Sequence, residues 1–559
     1  MRSIDIPGIN WPADRLLPAF QIPAHLTIYD VRGASNDVQL CAATMAGIIN
    51  RPEPRVYQII TDEDPFWLKE LLGGIPQEVS PTSGNGALEG MLIPFRSSIQ
   101  GMIIYDPNFV DSINIATTMA GQYDCIVVSP DLAANLQQPY NLPVHTDLRN
   151  QHWGSRSEAY NWARQNLLAG ASSHAVAGLD PKIAALRSFL VANRIFVYWL
   201  DSSSAEQGLI EHIYSSFPAE AVHLGWFIDE PSGVKLTSKA ALPVLATDLS
   251  SNLEVWTGVP NATSLAQSNA IGPVGSIDAS KVYVSFTISD GDNLQFIQHR
   301  MLHLWQDAVR GSFPLGWTIS PVLSQAAPAM AAYYARTATA QDELIAGPSG
   351  AGYMYPSQWP QQQFSSFLQR TAQMMKSMNL TTMEVLDVSD DGPNELSLLD
   401  IFRQAVSSLV SLTSPAALLD ILEQVIPALE ASIPGLRGSQ LFSNTALQML
   451  YTQALASTGF NGILSGAGVK IPGLTYGSGG VPIYYNLGLA DSVQSTVDLV
   501  KSSTLILKQR PLFLNVYMLA WKMGPSDIKQ VIQQLGSGYE VVKPGMLLKM
   551  IEQVHAKGH

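Results

Sequence analysis

The chain has 559 residues, 46% apolar and only 14% charged, with a formal net charge of −14. That length exceeds one hydrophobic core and points to roughly two to four domains, and the composition excludes a disordered chain. The acidic balance argues against nucleic acid and anionic membrane as partners, and no run of about 18 apolar residues is present to span a bilayer.

The opening stretch MRSIDIPGINWPADRLLPAF has no apolar h-region, so no secretion signal is expected and the cytoplasm is favoured. A secreted chain that had been trimmed would read the same. Cys41 and Cys125 are the only cysteines, too few for a disulfide framework or a Cys-based zinc site. Strand and helix signals then alternate. LTIYDV (26–31), helical NDVQLCAATMAGIIN (36–50), RVYQII (55–60), GMIIYD (101–106) and DCIVVS (124–129) come first. Amphipathic RSEAYNWARQNLLA (156–169), RIFVYWLD (194–201), AVHLGWF (221–227) and LPVLATD (242–248) follow. The alternation predicts α/β layers with mostly parallel sheets, arranged as one to three small subdomains over residues 1–270, with sub-boundaries near 100 and 180. The Gly-, Pro-, Ser- and Asn-rich stretch 259–280 reads as a domain boundary.

Residues 275–559 restart with KVYVSFTIS (281–289). Further candidate strands are PLGWTIS (314–320), ELIAG (343–347), TTMEVLDVS (381–389), GILSG (462–466), VPIYYN (481–486), PLFLNVYML (511–519) and YEVVKP (539–544). Eight strands separated mostly by helical stretches predict a (β/α)8-like, TIM-type barrel. Residues 467–480 are Gly-rich and too short for a crossover helix, so the barrel is expected to be distorted there. A Leu-rich insertion at 394–437 reads as two amphipathic helices.

In a barrel, reactive groups stand at the C-terminal ends of strands. In KVYVSFTISDGDNLQF (281–296), Tyr283, Ser285, Thr287 and Ser289 share one face, which fits the interior, and Val282, Val284, Phe286 and Ile288 share the other. Asp290 and Asp292 are then candidate catalytic carboxylates, with Asn293 and Gln295 as candidate substrate ligands. The bland alternative is an ordinary strand–turn–helix cap, with Asn293 as the capping residue. TTMEVLDVSDDGPNE (381–395) supplies Glu384 and Asp387 as further catalytic candidates, and Asp390 and Asp391 as loop ligands. At about 3.3 Å per residue Glu384 lies roughly 10 Å below Asp387, which favours Asp387 at the mouth and leaves Glu384 deep or facing helices.

GAGYMYPSQWP (350–360) suits neither a helix interior nor a central strand, because of its glycines, Pro356 and Pro360. It is an aromatic loop, and aromatic rings on a loop either pack into the core or bind something. Tyr353, Tyr355 and Trp359, with Trp317 and Trp521 near other strand ends, are candidates for a platform on which sugar rings stack. Paired carboxylates across a cleft are what glycosidic bond cleavage requires, without metal or cofactor. Two rivals stand beside this reading. One is a metal-dependent carbohydrate deacetylase or esterase using the Asp pair with His299 and His303 at i, i+4; the other is a non-catalytic carbohydrate-binding protein on the same fold. No G-x-S-x-G, P-loop or strand-anchored G-x-G-x-x-G occurs.

The run Gly350-Ala351-Gly352-Tyr353-Met354-Tyr355-Pro356 fits G-x-G-Y-x-Y-P, and SDGDN (289–293) stands upstream of it. AGIINRPEPRVY (46–57), a helix ending in G-x-x-N-R before a strand, and the closing YEVVKPGMLLKMI (539–551) complete the pattern. In these stretches, and over most of residues 25–550, the chain resembles the GxGYxYP family of putative glycoside hydrolases. The resemblance implies a carbohydrate-active C-terminal barrel behind a composite α/β N-terminal region.

Overall fold

The computed structural model describes residues 9–51, 53–260, 271–291, 293–387, 445–466, 474–476, 481–507 and 510–557. The chain divides into two compact units. The first holds Met1–Ser264 with Asn293–His299 and Val322–Tyr333; the second holds Leu265–Asp292, Arg300–Pro321 and Tyr334–His559. Among the described residues no helix is long and apolar enough to cross a membrane.

The first unit contains three small parallel sheets. β1 (Leu26–Asp30), β2 (Val56–Ile59) and β3 (Gln77–Ser83) pair in the order β2-β1-β3. β4 (Gly101–Ile104), β5 (Cys125–Val128) and β6 (Val144–Asp147) pair as β5-β4-β6. β7 (Ala175–Gly178), β8 (Phe196–Tyr198), β9 (Val222–Gly225) and β10 (Val244–Ala246) pair as β10-β9-β7-β8. One apolar core runs through all three. β3 and β6 are exposed edge strands and β7 is built of small residues, so none carries the apolar alternation that marks a strand in sequence.

The helix Asn36–Asn50 is buried along nearly its whole length. Its G-x-x-N-R ending is a structural hub. A Cβ on Gly47 would lie 2.3 Å from the Ser188 carbonyl oxygen, so glycine lets two helices touch. Asn50 donates to the Val56 carbonyl and to Glu254, and accepts from the Arg55 and Val56 amides. Arg51 donates to the carbonyls of Ala192, Gly121 and Val191 and pairs with Asp124.

His223 of β9 is fully buried, with Nε2 2.9 Å from the Tyr198 hydroxyl, itself 2.5 Å from that of Tyr214. Burial pushes its pKa from 6.5 down to about 3. The folded chain therefore keeps His223 neutral where the unfolded chain binds a proton. Its share of stability is whole above about pH 6.5 and is lost toward pH 3, by about 1.4 kcal/mol per pH unit. The melting-temperature advantage of the wild type over His223→Gln should shrink as the buffer goes from about pH 7 to about pH 4.5, and a constant advantage would contradict this.

The second unit is built on β11 (Val282–Ser289), β12 (Leu315–Ile319), β13 (Asp342–Ala346), β14 (Thr382–Leu386), β15 (Gly462–Gly466), β16 (Leu474–Tyr476), β17 (Pro482–Tyr485), β18 (Leu487–Ala490), β19 (Leu512–Leu519) and β20 (Tyr539–Val541). Its core is a curled seven-strand parallel sheet, β17-β15-β14-β13-β12-β11-β19, with β16 antiparallel on β17. The curl follows from hydrogen bonds that a flat sheet forbids. β11 and β14 are three strand spacings apart, about 14 Å when flat, yet Ser289 Oγ is 2.9 Å from Glu384 Oε1. Likewise Tyr517 of β19 reaches the Leu464 carbonyl of β15. The stretch Pro482–Ala490 pairs with β15 through β17 and with β19 through β18.

The barrel expectation is corrected in its strand count. The eighth candidate strand shortens to β20 and stands outside the strand order. β19 takes one edge of β11 over its whole length, so β20 and β12 share the other, at Val282–Val284 and Thr287–Ile288. The helix Pro544–Lys557 packs Leu547, Leu548, Met550 and Ile551 on Tyr283, Phe513, Tyr484 and Leu464. Its first turn is fixed by buried Glu343, which accepts from the Gly545 amide at 2.8 Å and the Thr382 hydroxyl at 2.8 Å. The expected insertion at 394–437 lies outside the described residues.

Candidate active site

The polar face of β11 meets a network in the curl of the sheet. Ser285 and Thr287 donate to Asn515 Oδ1 at 2.6 and 3.2 Å, and Asn515 Nδ2 donates to Asn486 Oδ1 at 2.7 Å. Parallel register sets Ser285 beside Asn515, and Asn486 stands at the joint between β17 and β18. Above this layer Ser289 donates to Glu384, which is fully buried. The Tyr517 hydroxyl donates at 3.1 Å to the carbonyl of Leu464, the register partner of Glu384. Burial first, and then the charge of Glu384, hold the Tyr517 phenol well above its ordinary pKa, so it stays a neutral donor.

Thr318 organises the turn after β11. Its hydroxyl donates to the Ile288 carbonyl and accepts the Asp290 and Gly291 amides at 3.1 and 2.9 Å. A Cβ on Gly291 would stand 2.2 Å from the Thr318 carbonyl carbon, so only glycine fits. Half-buried Asp290 has a φ of +152°, which L residues rarely adopt. Strain of this kind collects at functional sites, where the surrounding structure holds it. Gly291→Ala is expected to cost about 1–3 kcal/mol by overpacking, measured in a thermal melt; an unchanged melt would mean the turn yields.

The loop of residues 347–360 is fastened along β14. The Ser349 amide donates to the Glu384 carbonyl at 2.8 Å, and the Ser349 hydroxyl donates to the Leu386 carbonyl and accepts its amide. Tyr451 donates to the Ser349 carbonyl. Gly350 has φ +154° and leaves no room for a Cβ beside Phe367, and the Ala351 amide donates to Thr371. Ser357 gives Asp387 Oδ1 both its amide and its hydroxyl, at 3.2 and 2.8 Å.

Set against this geometry, several sequence expectations change. Glu384, expected deep or facing helices, is fully buried and accepts from Ser289, and Asp387, expected at the mouth, accepts from Ser357 of the loop. Tyr353 and Tyr355 are buried in an edge-to-face pair with centroids 5.8 Å apart, and Trp359 is buried against Phe367, so these rings form no open platform. Trp317 is fully buried against Trp305 and donates to Asp342, which places it in the core. Asn293 caps the helix Leu294–Gln298 through the Phe296 amide, and Gln295 accepts the Leu249 amide; both belong to the first unit, away from the substrate role expected of them. Trp521 is exposed, two residues beyond β19. Asp292, Asp390 and Asp391 lie outside the described residues. His299 and His303 do not share a helix. The helix ends at Gln298 and a second starts at Arg300; between them stands His299, whose ring nitrogens face Glu63, Thr61 and the Leu249 carbonyl. Asn486, Asn515, Tyr517 and Thr318 escaped the sequence reading, although a lone amide inside PLFLNVYML was a signal of a buried polar site.

Four family models match the chain. The model described as "GxGYxYP putative glycoside hydrolase C-terminal domain" covers residues 280–417 and 483–552. Those for the first, second and third N-terminal domains cover 25–74, 99–171 and 173–258. The chain belongs to the GxGYxYP family. The family's three N-terminal domains fall on the three small sheets of the first unit, and its C-terminal domain falls on the curled sheet. A solved structure described as "a putative hydrolase from Bacteroides thetaiotaomicron" aligns with a TM-score of 0.77 at 19% identity, over 98% of this chain and 99% of that one. At that identity the likeness shows a shared fold. No curated protein matches the chain.

Proposed function

We propose that this GxGYxYP protein is a glycoside hydrolase in which Glu384 and Asp290 act as the paired carboxylates. The observation that carries the reading is the meeting of two family stretches on one residue. Ser289, from SDGDN, donates to the Glu384 side chain, and Ser349, at the head of the signature loop, donates to the Glu384 backbone. Asp290 follows Ser289 directly, so a second carboxylate stands one residue from the group that holds the first. One carboxyl group protonates the leaving oxygen and the other serves as nucleophile or as base for water. On this reading the signature loop is a brace for β14, and Asp387 is the residue it grips. The family description and the fold shared with a described hydrolase support the same class.

The test is a panel of defined α- and β-linked oligosaccharides and acetylated sugars, each with and without a chelator, with products followed by NMR. Cleavage of a glycosidic bond that survives chelation is the expected result. Acetate release abolished by the chelator would overturn it in favour of a metal-dependent esterase.

A further inference from the structure

We infer that Ser320 and Asn486 hydrogen-bond the hydroxyl groups of the sugar ring that lies on Glu384; this rests on the glycoside-hydrolase reading above. Both side chains are buried, Ser320 at 0% and Asn486 at 1% exposure. Ser320 Oγ and Asn486 Nδ2 have no hydrogen-bond partner among the described residues. A buried polar atom without a partner is costly, so a structure that keeps two around one carboxylate calls for a reason. Ligand hydroxyls supply one. Ser320 offers a donor and an acceptor, and Asn486 offers N–H donors.

Register brings the two to either side of Glu384. Ile319 pairs with Ala346 and Ala346 with Met383, so Ser320, Gly347 and Glu384 continue one row. A Cβ on Gly316 would stand 3.2 Å from Thr287 Oγ1, which marks the inner face of β12, and Ser320 shares its parity. Gly347 keeps the row low between them; a Cβ there would stand 3.3 Å from Glu384 Oε2. On the other side Glu384 pairs with Leu464 and Leu464 with Tyr484, and Asn486 stands two residues beyond Tyr484. Each group is thus two strands from Glu384, about 10 Å in a flat sheet, and curl turns inner-face side chains toward one another. The direction of the amide is fixed as well. Ser285 and Thr287 donate to Asn515 Oδ1, Asn515 Nδ2 donates to Asn486 Oδ1, and the Asn486 NH2 is the end of that chain. Asn486 and Glu384 both act on the Tyr517 hydroxyl, the first easing its ionisation and the second opposing it, so the three side chains converge.

The experiment has two readouts on the full chain. Where the panel above yields a cleaved glycan, kcat/KM is measured on it and on analogues lacking one hydroxyl of the ring at the scissile bond. Asn486→Ala and Ser320→Ala should each lower kcat/KM on the parent glycan by about 10- to 100-fold. On one deoxy analogue the same substitution should change little, because residue and hydroxyl form one interaction. Asn486→Asp keeps an acceptor for Asn515 and removes the N–H groups, so it should repeat that coupling in a folded chain. A loss of equal size on the parent and on every analogue would make the residue structural and overturn its role, with the hydrolase reading still standing. Where no glycan is cleaved, the chain is isotopically labelled at asparagine and titrated with cellobiose, maltose, mannobiose and chitobiose. The Asn486 side-chain NMR signal, assigned by its loss in Asn486→Asp, should then move with at least one disaccharide. Movement without cleavage would keep the subsite and sink the hydrolase reading; a still signal would overturn the subsite.

Discussion

Glu384→Gln is expected to lower kcat/KM on the cleaved glycan by about 100- to 10,000-fold, the loss that follows removal of one acid–base or nucleophilic group. Glutamine keeps the volume of glutamate, so the packed face of β14 is preserved. It changes what Ser289 meets, from an acceptor-only carboxylate to an amide that also donates. The melting temperature should therefore move by no more than a few degrees while activity collapses. The pH profile discriminates further. If Glu384 reacts, one limb of the bell disappears in the variant, because that limb reports its ionisation. If Glu384 only braces the strand, the limbs stay and activity falls in step with stability. Asp290→Asn should remove the opposite limb. Asp387→Asn should leave both limbs and weaken the loop, since Asp387 accepts from Ser357 and carries no step in the proposed reaction.

How the site could be read in the sequence follows from what kind of information each part holds. Alternation along β11 placed Ser285, Thr287 and Ser289 on one face, and the structure puts them on the polar interior. Pairing of period two is local, so residues in one strand carry it. β14 gave no such help. Met383 and Val385 are buried on one face and Thr382 and Glu384 on the other, so both faces are dry and the alternation is blurred. Ranking Asp387 above Glu384 by height alone took no account of curl, which brings Ser289 to the lower residue. Curl is a property of the whole sheet, and no single strand encodes it. The signature loop misled for a related reason. Aromatic rings on a loop suggest a surface for ligand, and here the rings pack inward while the small residues Ser349 and Ser357 make the hydrogen bonds to Glu384 and Asp387. The G-x-x-N-R ending of the first helix was legible as a pattern and opaque as to purpose. Its partners, Ser188, Glu254, Asp124 and Ala192, lie from about 70 to more than 200 residues away in sequence, beyond any local rule.

The largest effect on stability is expected in the first unit, from Arg187→Met. Arg187 is fully buried in the helix Arg187–Ala192 and donates to five acceptors: the carbonyls of Ile183, Asp180 and Pro181, the Asn114 side chain and the Thr117 hydroxyl. Burial lowers its pKa to about 9, so it remains a cation at neutral pH. Asn114 continues the cluster to Tyr160, which donates to Asp111. Methionine fills most of the space and satisfies none of the five acceptors, and it leaves buried Tyr160 without the guanidinium charge near it. Breaking a buried charged cluster from one side costs about 3–5 kcal/mol. In a unit of this size that corresponds to a fall of roughly 10 °C in its calorimetric transition. Arg187→Lys should recover only part, since an ammonium on a longer stem cannot aim a planar fork at Asn114, Thr117 and two carbonyls together. A drop of less than about 1 kcal/mol in the methionine variant would mean that water or a shifted helix replaces the guanidinium. The helix Ser112–Tyr123, which carries Asn114 and Thr117, would still be joined to the third sheet through Thr118, which accepts the Val197 amide, and Asn114, which donates to the Leu179 carbonyl.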